Sequence, residues 1–148
     1  MKTEFRLYQE ADYSDLRDMI FSLYREDPEG EPMDEEKIKQ TVAESRKNPG
    51  KLSIYMIRRD NENIGYAILV FFWSNEYGGD IITVDELYIK AEFRNQGIGT
   101  EFFSFADKME NIAALQLETT PDNQRAFEYY KRLGFIPDEN NHLIRKSR

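Results

Sequence analysis

The residues with the most chemical content in this chain are the run Arg94-Asn95-Gln96-Gly97-Ile98-Gly99-Thr100. Two glycines one residue apart let backbone N–H groups converge without obstruction from a Cβ, and a helix that follows adds its partial positive charge. The run is therefore a cradle for an anion, phosphate being the usual occupant, with Arg94 at its lip to pair with a second phosphate oxygen. No Gly-Lys-Ser/Thr follows, so it is not a Walker loop. A dinucleotide fingerprint wants a small residue where Phe102 stands, although Glu118 falls at the distance of a ribose acceptor. A tight strand-to-helix turn with no ligand also fits the same glycines.

The rest of the chemistry has few carriers. Cysteine is absent, which excludes disulfides, thiol nucleophiles and Cys-ligated metals, and the single His142, read as structural, leaves no histidine pair for a metal. No metal is called for, and acid–base work falls to carboxylates, tyrosines or water. Asp85 and Glu86 are adjacent on a strand, on opposite faces if it is regular. Tyr129 and Tyr130 are adjacent on a helix, so only one of them faces any given site.

These residues need elements to position them. Phe5 to Tyr8 reads as a first strand. Leu16, Met19, Ile20, Leu23 and Tyr24 recur at helical spacing behind the caps Asp12 or Ser14, and Asp27-Pro28 ends that helix. Asp34 opens a second, more polar helix with Ile38 and Val42, which stops near Asn48-Pro49-Gly50. Leu52 to Ile57 alternates; Asp60 to Asn63 turns the chain into the apolar run Ile64 to Trp73, so a hairpin is expected. Ser74 to Asp80 is a loop, Ile81 to Ile89 a strand, and Ile98, Phe102, Phe105, Met109 and Ile112 mark a helix of about 15 residues before a strand over Ala114 to Glu118. Strand, helix, strand is a crossover, so those two strands are expected to be parallel and the sheet mixed. A short helix with Ala126, Tyr129, Tyr130 and Leu133 ends at Gly134, and Phe135-Ile136 and His142 to Arg145 are read as closing strands.

With 40% hydrophobic and 32% charged residues over 148 positions, the composition is that of one globular domain, 1–148. The formal charge of −8 works against a nucleic-acid partner and favours a cationic one. No apolar run is long enough for a membrane helix and no signal peptide precedes the first strand, so a cytoplasmic location is expected.

Two motifs together resemble a known family. Arg94-x-x-Gly97-x-Gly99, preceded by Val84-Asp85-Glu86-Leu87-Tyr88-Ile89, resembles the acetyl-CoA pyrophosphate loop of the GNAT superfamily of N-acetyltransferases. Asn123-x-x-Ala126-x-x-Tyr129-Tyr130 through Gly134-Phe135 resembles that superfamily's second motif, in the same order and spacing. Ala91 stands where many members carry proline, a departure that bears on loop stiffness. The resemblance implies an α/β, GNAT-like fold: a mixed, mostly antiparallel sheet of about six to seven strands with a parallel splayed central pair, and about four helices.

It also implies roles. The backbone from Gln96 through Gly97, Ile98 and Gly99 to Thr100, with Asn95 and Arg94 beside it, is expected to bind the pyrophosphate of acetyl-CoA, the co-substrate. Leu87 and Ile89 are expected to bond the pantetheine arm through their main chain, and Asn123 from the other side unless it serves as a helix N-cap, two roles that different atoms can share. Tyr130 is the expected general acid toward the leaving thiolate, with Tyr129 its competitor. Asp85 is the expected base toward the amine, with Glu86 the alternative; a bulge at this point would exchange the two.

Acceptor selection is expected from the first two helices and the loop before the Asp85 strand, where Glu26, Asp27, Glu29, Glu31, Asp34, Glu35 and Glu36 lie with Trp73, Glu76 and Tyr77. Carboxylates beside aromatic rings suit a cation, and they equally fit a solvated surface. The leading reading is transfer of acetyl from acetyl-CoA to a primary amine by direct attack, and the alternatives are a non-catalytic CoA-binding regulatory module and, far behind, a nicotinamide-dependent oxidoreductase. Sheet edges and an aromatic content of 14% are compatible with a homodimer.

Overall fold

The computed structural model describes residues 2–28 and 30–147, so Glu29 lies outside the described residues. The chain divides into two compact units, Met1–Glu118 and Thr119–Arg148. The first contains one five-stranded sheet in the order β1-β2-β3-β4-β5: β1 (Thr3–Leu7), β2 (Leu52–Arg59), β3 (Glu62–Ser74), β4 (Gly79–Ile89) and β5 (Ile112–Gln116). All neighbours are antiparallel except β4 and β5, which are parallel. The mixed sheet with a parallel pair is the expected one.

Local signals account for most elements. The β2–β3 hairpin turns on Asp60 and Asn61, both with left-handed φ (51° and 64°), the conformation of a two-residue turn matched to strand twist. Helix α2 (Glu35–Lys47) starts where Asp34 accepts a hydrogen bond from the Lys37 N–H at 2.8 Å. Helix α1 (Tyr13–Glu26) is different. Asp12 does not cap it; its buried carboxylate is held by the Arg6 fork at 2.9 and 3.2 Å and accepts from the Gln9 N–H.

The sheet is covered on both faces. Leu16, Met19 and Ile20 of α1 and Ile38 of α2 pack with Ile54, Met56, Tyr66, Ile68 and Tyr88. On the other face lies α3 (Ile98–Ala106), whose Phe102 and Phe105 meet Phe5 at ring separations of 5.6 and 5.1 Å. Helix α3 is shorter than the expected 15 residues because Asp107 to Asn111 makes a turn, with Asn111 at φ 59°, so Met109 and Ile112 are not on it and β5 begins at Ile112. Asparagine tolerates this conformation without a glycine to announce it.

In the second unit, α4 (Gln124–Arg132) is the single helix among the described residues. The expected closing strands at Phe135-Ile136 and His142 to Arg145 are not formed, so the sheet has five strands rather than six or seven, and the described residues of this unit carry none. A strand needs a partner's backbone, and this Pro137-interrupted tail leaves Ile136, Leu143 and Ile144 exposed at 87, 90 and 79%.

Candidate active site

The geometry of the site begins with two irregularities in β4. Parallel pairing to β5 ends at Thr83 and Gln116, while β4 continues to Ile89. Leu87 and Ile89 therefore lie beyond the end of that pairing, on the stretch expected to receive an extended ligand. Second, the β3 partner shifts between Ile68, opposite Glu86, and Leu69, opposite Val84, so Asp85 is the extra residue of a β-bulge.

The bulge gives the two carboxylates unlike surroundings. Glu86 is half-buried and accepts from the Tyr24 hydroxyl of α1 at 2.6 Å and the Tyr66 hydroxyl of β3 at 2.8 Å, one phenol on each oxygen. Burial raises its carboxyl above the usual range against the pull of both phenols, and Asp85 adds repulsion. The same environment raises both phenols: burial comes first, then the Glu86 bond and charge. Asp85 is exposed and has no hydrogen-bond donor among the described residues. Loss of hydration on its protein side raises its carboxyl, and like-charge repulsion from Glu118, two residues past the end of β5 pairing, raises it further.

Beyond β4 the chain enters the glycine run. Asn95 and Gly97 both take left-handed φ (64° and 79°), and Gly97 is the N-cap of α3. Such alternation turns successive N–H groups to one side, the backbone arrangement that suits an anion. The first bond of α3 runs from Glu101 N–H to Gly97 C=O, so the Ile98 and Gly99 N–H groups have no intrahelical acceptor. Thr100 and exposed Gln96 complete the expected contact set.

Arg94 is occupied. Its Nε donates to Ile89 C=O at 2.7 Å, its Nη2 donates to both Glu26 oxygens at 2.8 and 3.1 Å, and the guanidinium lies 5.3 Å from the Tyr88 ring centre. To meet a phosphate it must leave Glu26, an exchange of one exposed ion pair for another that costs on the order of 1 kcal/mol or less. The Ile89 carbonyl is likewise taken while Arg94 stays.

In the second unit, Asn123 caps α4 by accepting from the Ala126 N–H at 3.1 Å. That commits its side-chain oxygen and leaves the amide N–H₂ as the group for an arm. At the other end, Phe135 N–H bonds Tyr130 C=O, Gly134 N–H bonds Lys131 C=O, Gly134 has φ 98°, and the Tyr130 and Phe135 rings pack at 5.8 Å. This is a Schellman cap with its hydrophobic contact, and it fixes the backbone that carries Tyr130. Burial, then the neighbouring Tyr129, pushes the Tyr130 phenol up to about 12.

Acceptor-side acids are fewer than the sequence suggests. Glu26 is paired with Arg94, Glu35 accepts from Tyr13 and faces Arg17, and Asp34 is a cap. Trp73 and Tyr77 are exposed at 64 and 56%. Sequence reasoning missed Tyr24 and Tyr66 as the partners of Glu86, and it set Glu26 toward the acceptor where the structure pairs it with Arg94. Tyr66 did leave a signal, because a tyrosine inside an apolar strand needs a partner for its hydroxyl.

The sequence matches the acetyltransferase (GNAT) family over residues 15–135. The chain belongs to that family. Over 74 residues it is 31% identical to the thialysine N-epsilon-acetyltransferase of Bos taurus, a match covering 48% of this chain and 43% of that protein. The chain thus aligns with less than half the length of that curated relative. Among solved structures, a possible acetyltransferase from Clostridium difficile 630 superposes with a TM-score of 0.86 at 20% identity, covering 100% of this chain and 99% of that one. AAC(6')-Iy, solved in complex with the bisubstrate analog CoA-S-monomethyl-acetylneamine, superposes with a TM-score of 0.75 at 15% identity, covering 100% of both chains. Acetyl-CoA is the co-substrate of this acetyltransferase family. Among the described residues, no helix is long and apolar enough to cross a membrane, and no group of three acidic or histidine side chains is placed to hold a metal ion.

Proposed function

We infer that this chain transfers acetyl from acetyl-CoA to a primary amine by direct attack, the acceptor being a small cationic amine or a lysine-like side chain. The observation that carries this reading is the continuity of β4: no pairing with β5 beyond Thr83, a bulge at Asp85, then the left-handed Gly97 turn into α3. A thioester arm laid along the free β4 edge brings its carbonyl toward the bulge when its pyrophosphate lies on the N–H groups of Gln96 to Thr100. The thialysine acetyltransferase likeness supports an amine acceptor.

An alkylammonium with pKa about 10.4 must lose a proton before it attacks. The bulge was the condition for handing this task to Glu86, but it acts otherwise here. It takes Asp85 out of the ladder, exposed and with open lone pairs, while both Glu86 oxygens are engaged by phenols. Asp85 is therefore assigned as the base, directly or through water, and Glu86 as a fixed negative charge that favours a cationic acceptor. The amine lone pair attacks the thioester carbonyl, the tetrahedral intermediate collapses, and the C–S bond breaks to give the amide and the CoA thiolate. Tyr130, still a phenol at neutral pH, is assigned to donate a hydrogen bond to that sulfur. Full proton transfer from a phenol near 12 to a thiolate of ordinary pKa about 8.5 is uphill, so its part is stabilisation.

The test is acetyl transfer across a panel of polyamines, aminoglycosides, free lysine and lysine peptides. An acceptor should be acetylated with sequential kinetics; ping-pong kinetics with acyl-enzyme accumulation contradicts direct attack. Tyr130→Phe should lower kcat about 10- to 100-fold with little change in acetyl-CoA affinity. An unchanged kcat with chemistry rate-limiting removes Tyr130 from the mechanism. A non-catalytic CoA-binding module remains the alternative, and it requires acetyl-CoA binding without transfer to any acceptor.

A further inference from the structure

Arg59, at the end of β2, is 8% exposed, and its Nε is buried without a hydrogen-bond partner. No carboxylate lies within ion-pair distance of it among the described residues; its Nη1 donates to the Gln96 side-chain oxygen at 2.6 Å and its Nη2 to the Thr3 hydroxyl at 3.1 Å. A buried guanidinium is costly when its charge is unpaired, and natural interiors rarely leave one so. Its place explains what can balance it. Arg59 pairs with Thr3 and lies two residues from Ile57, which pairs with Phe5, so its side chain is on the sheet face that α3 covers, beneath the turn that begins α3. The short bond to Gln96 runs from a rigid strand to the middle of the glycine run, and Gln96 also donates to the Glu92 carbonyl at 3.4 Å, spanning the same loop.

We propose that Arg59 is a positioning residue for the anion loop: through Gln96 it holds the Gln96 to Gly99 backbone in its cradle geometry, and its uncompensated positive charge beneath that loop draws the diphosphate of the donor. The proposal rests on the pyrophosphate reading of the loop. It explains why an unpaired arginine is kept where an apolar residue would pack. Arg59 acts through Gln96 and the field, with no contact to the reacting atoms.

The test separates the diphosphate from the rest of the donor. Dissociation constants for CoA and for pantetheine, which lacks the diphosphate and nucleotide, are measured by calorimetric titration for the unaltered protein, Arg59→Met and Gln96→Leu. Arg59→Met should weaken CoA about tenfold or more, the effect of removing one charge-assisted interaction, and leave pantetheine unchanged. Gln96→Leu, an exposed change that spares the core, should weaken CoA several-fold in the same selective way. Equal losses for both ligands would show a merely structural arginine, and unchanged CoA affinity in either variant overturns the proposal. Should Arg59→Met fail to fold, Gln96→Leu decides it. If the unaltered protein binds CoA no better than pantetheine, the pyrophosphate reading itself fails, an outcome distinct from failure of Arg59.

Discussion

Asp85 and Glu86 are neighbours in sequence whose surroundings lead to different chemistry. Both carboxyls are raised chiefly by loss of water, but Glu86 is fixed by two phenols while Asp85 is open. Asp85→Asn should lower kcat/KM for the amine about 10²- to 10⁴-fold while acetyl-CoA affinity holds. Glu86→Gln should cost less and act mainly on the acceptor's KM. A larger kcat loss in Glu86→Gln would transfer the base role to Glu86. The pH dependence follows in sign: a base works when ionised, and a raised pKa moves its acidic limb above the ordinary aspartate value of about 3.9. Activity should climb with pH through that limb in the unaltered protein, and the limb should vanish in Asp85→Asn.

At the scale of elements, the cradle depends on backbone conformation more than on side chains. Gly97 has φ 79°, and a Cβ placed there would meet nothing within 4 Å. Gly97→Ala should therefore cost only the left-handed penalty of about 1–2 kcal/mol in urea unfolding, yet weaken acetyl-CoA in titration as the loop relaxes away from that conformation. Full affinity in this variant would mean that the turn is structural. This element was legible in the sequence because glycine spacing is a local signal, and the same holds for α1, α2, the Asp60-Asn61 hairpin and the Gly134 cap. What local signals could not reach were register and long-range partners. The bulge at Asp85 depends on how Ile68 and Leu69 meet β4, the end of α3 depends on Asn111 adopting a glycine-like φ, and Arg59 and Tyr24 reach Gln96 and Glu86 across 37 and 62 residues. The closing strands failed for the same kind of reason: alternation of apolar residues proposes a strand, but only a neighbouring backbone makes one.

For the whole molecule, the β2–β3 turn end of the sheet, where the pairing shifts between Ile57 and Arg58, is tied to the start of α1 by a polar cluster. Asp12 accepts from Arg6, the Gln9 N–H and the Asn63 amide, and Asn63 also bridges to Asp15 and accepts from Arg58. Burial by itself would raise the Asp12 carboxyl, but those donors outweigh it and hold it below the usual range. A depressed native pKa means stability that is complete above the unfolded value of about 3.9 and is lost as pH falls through the native one. Asp12→Asn should cost about 2–3 kcal/mol, or roughly 5–10 °C in thermal midpoint, and remove that part of the acid sensitivity. An unaltered midpoint would show that the cluster is solvated rather than structural.

The central claim, that the free β4 edge and the glycine turn of the first unit hold acetyl-CoA, is tested most directly by the thermal midpoint with and without acetyl-CoA, NADH serving as control. At about 100 times the dissociation constant, a ligand bound only by the native state adds about 2.7 kcal/mol, which for a chain of this size is roughly 5–10 °C. The account predicts a rise of that order with acetyl-CoA and none with NADH. No rise with acetyl-CoA, or an equal rise with NADH, would contradict it.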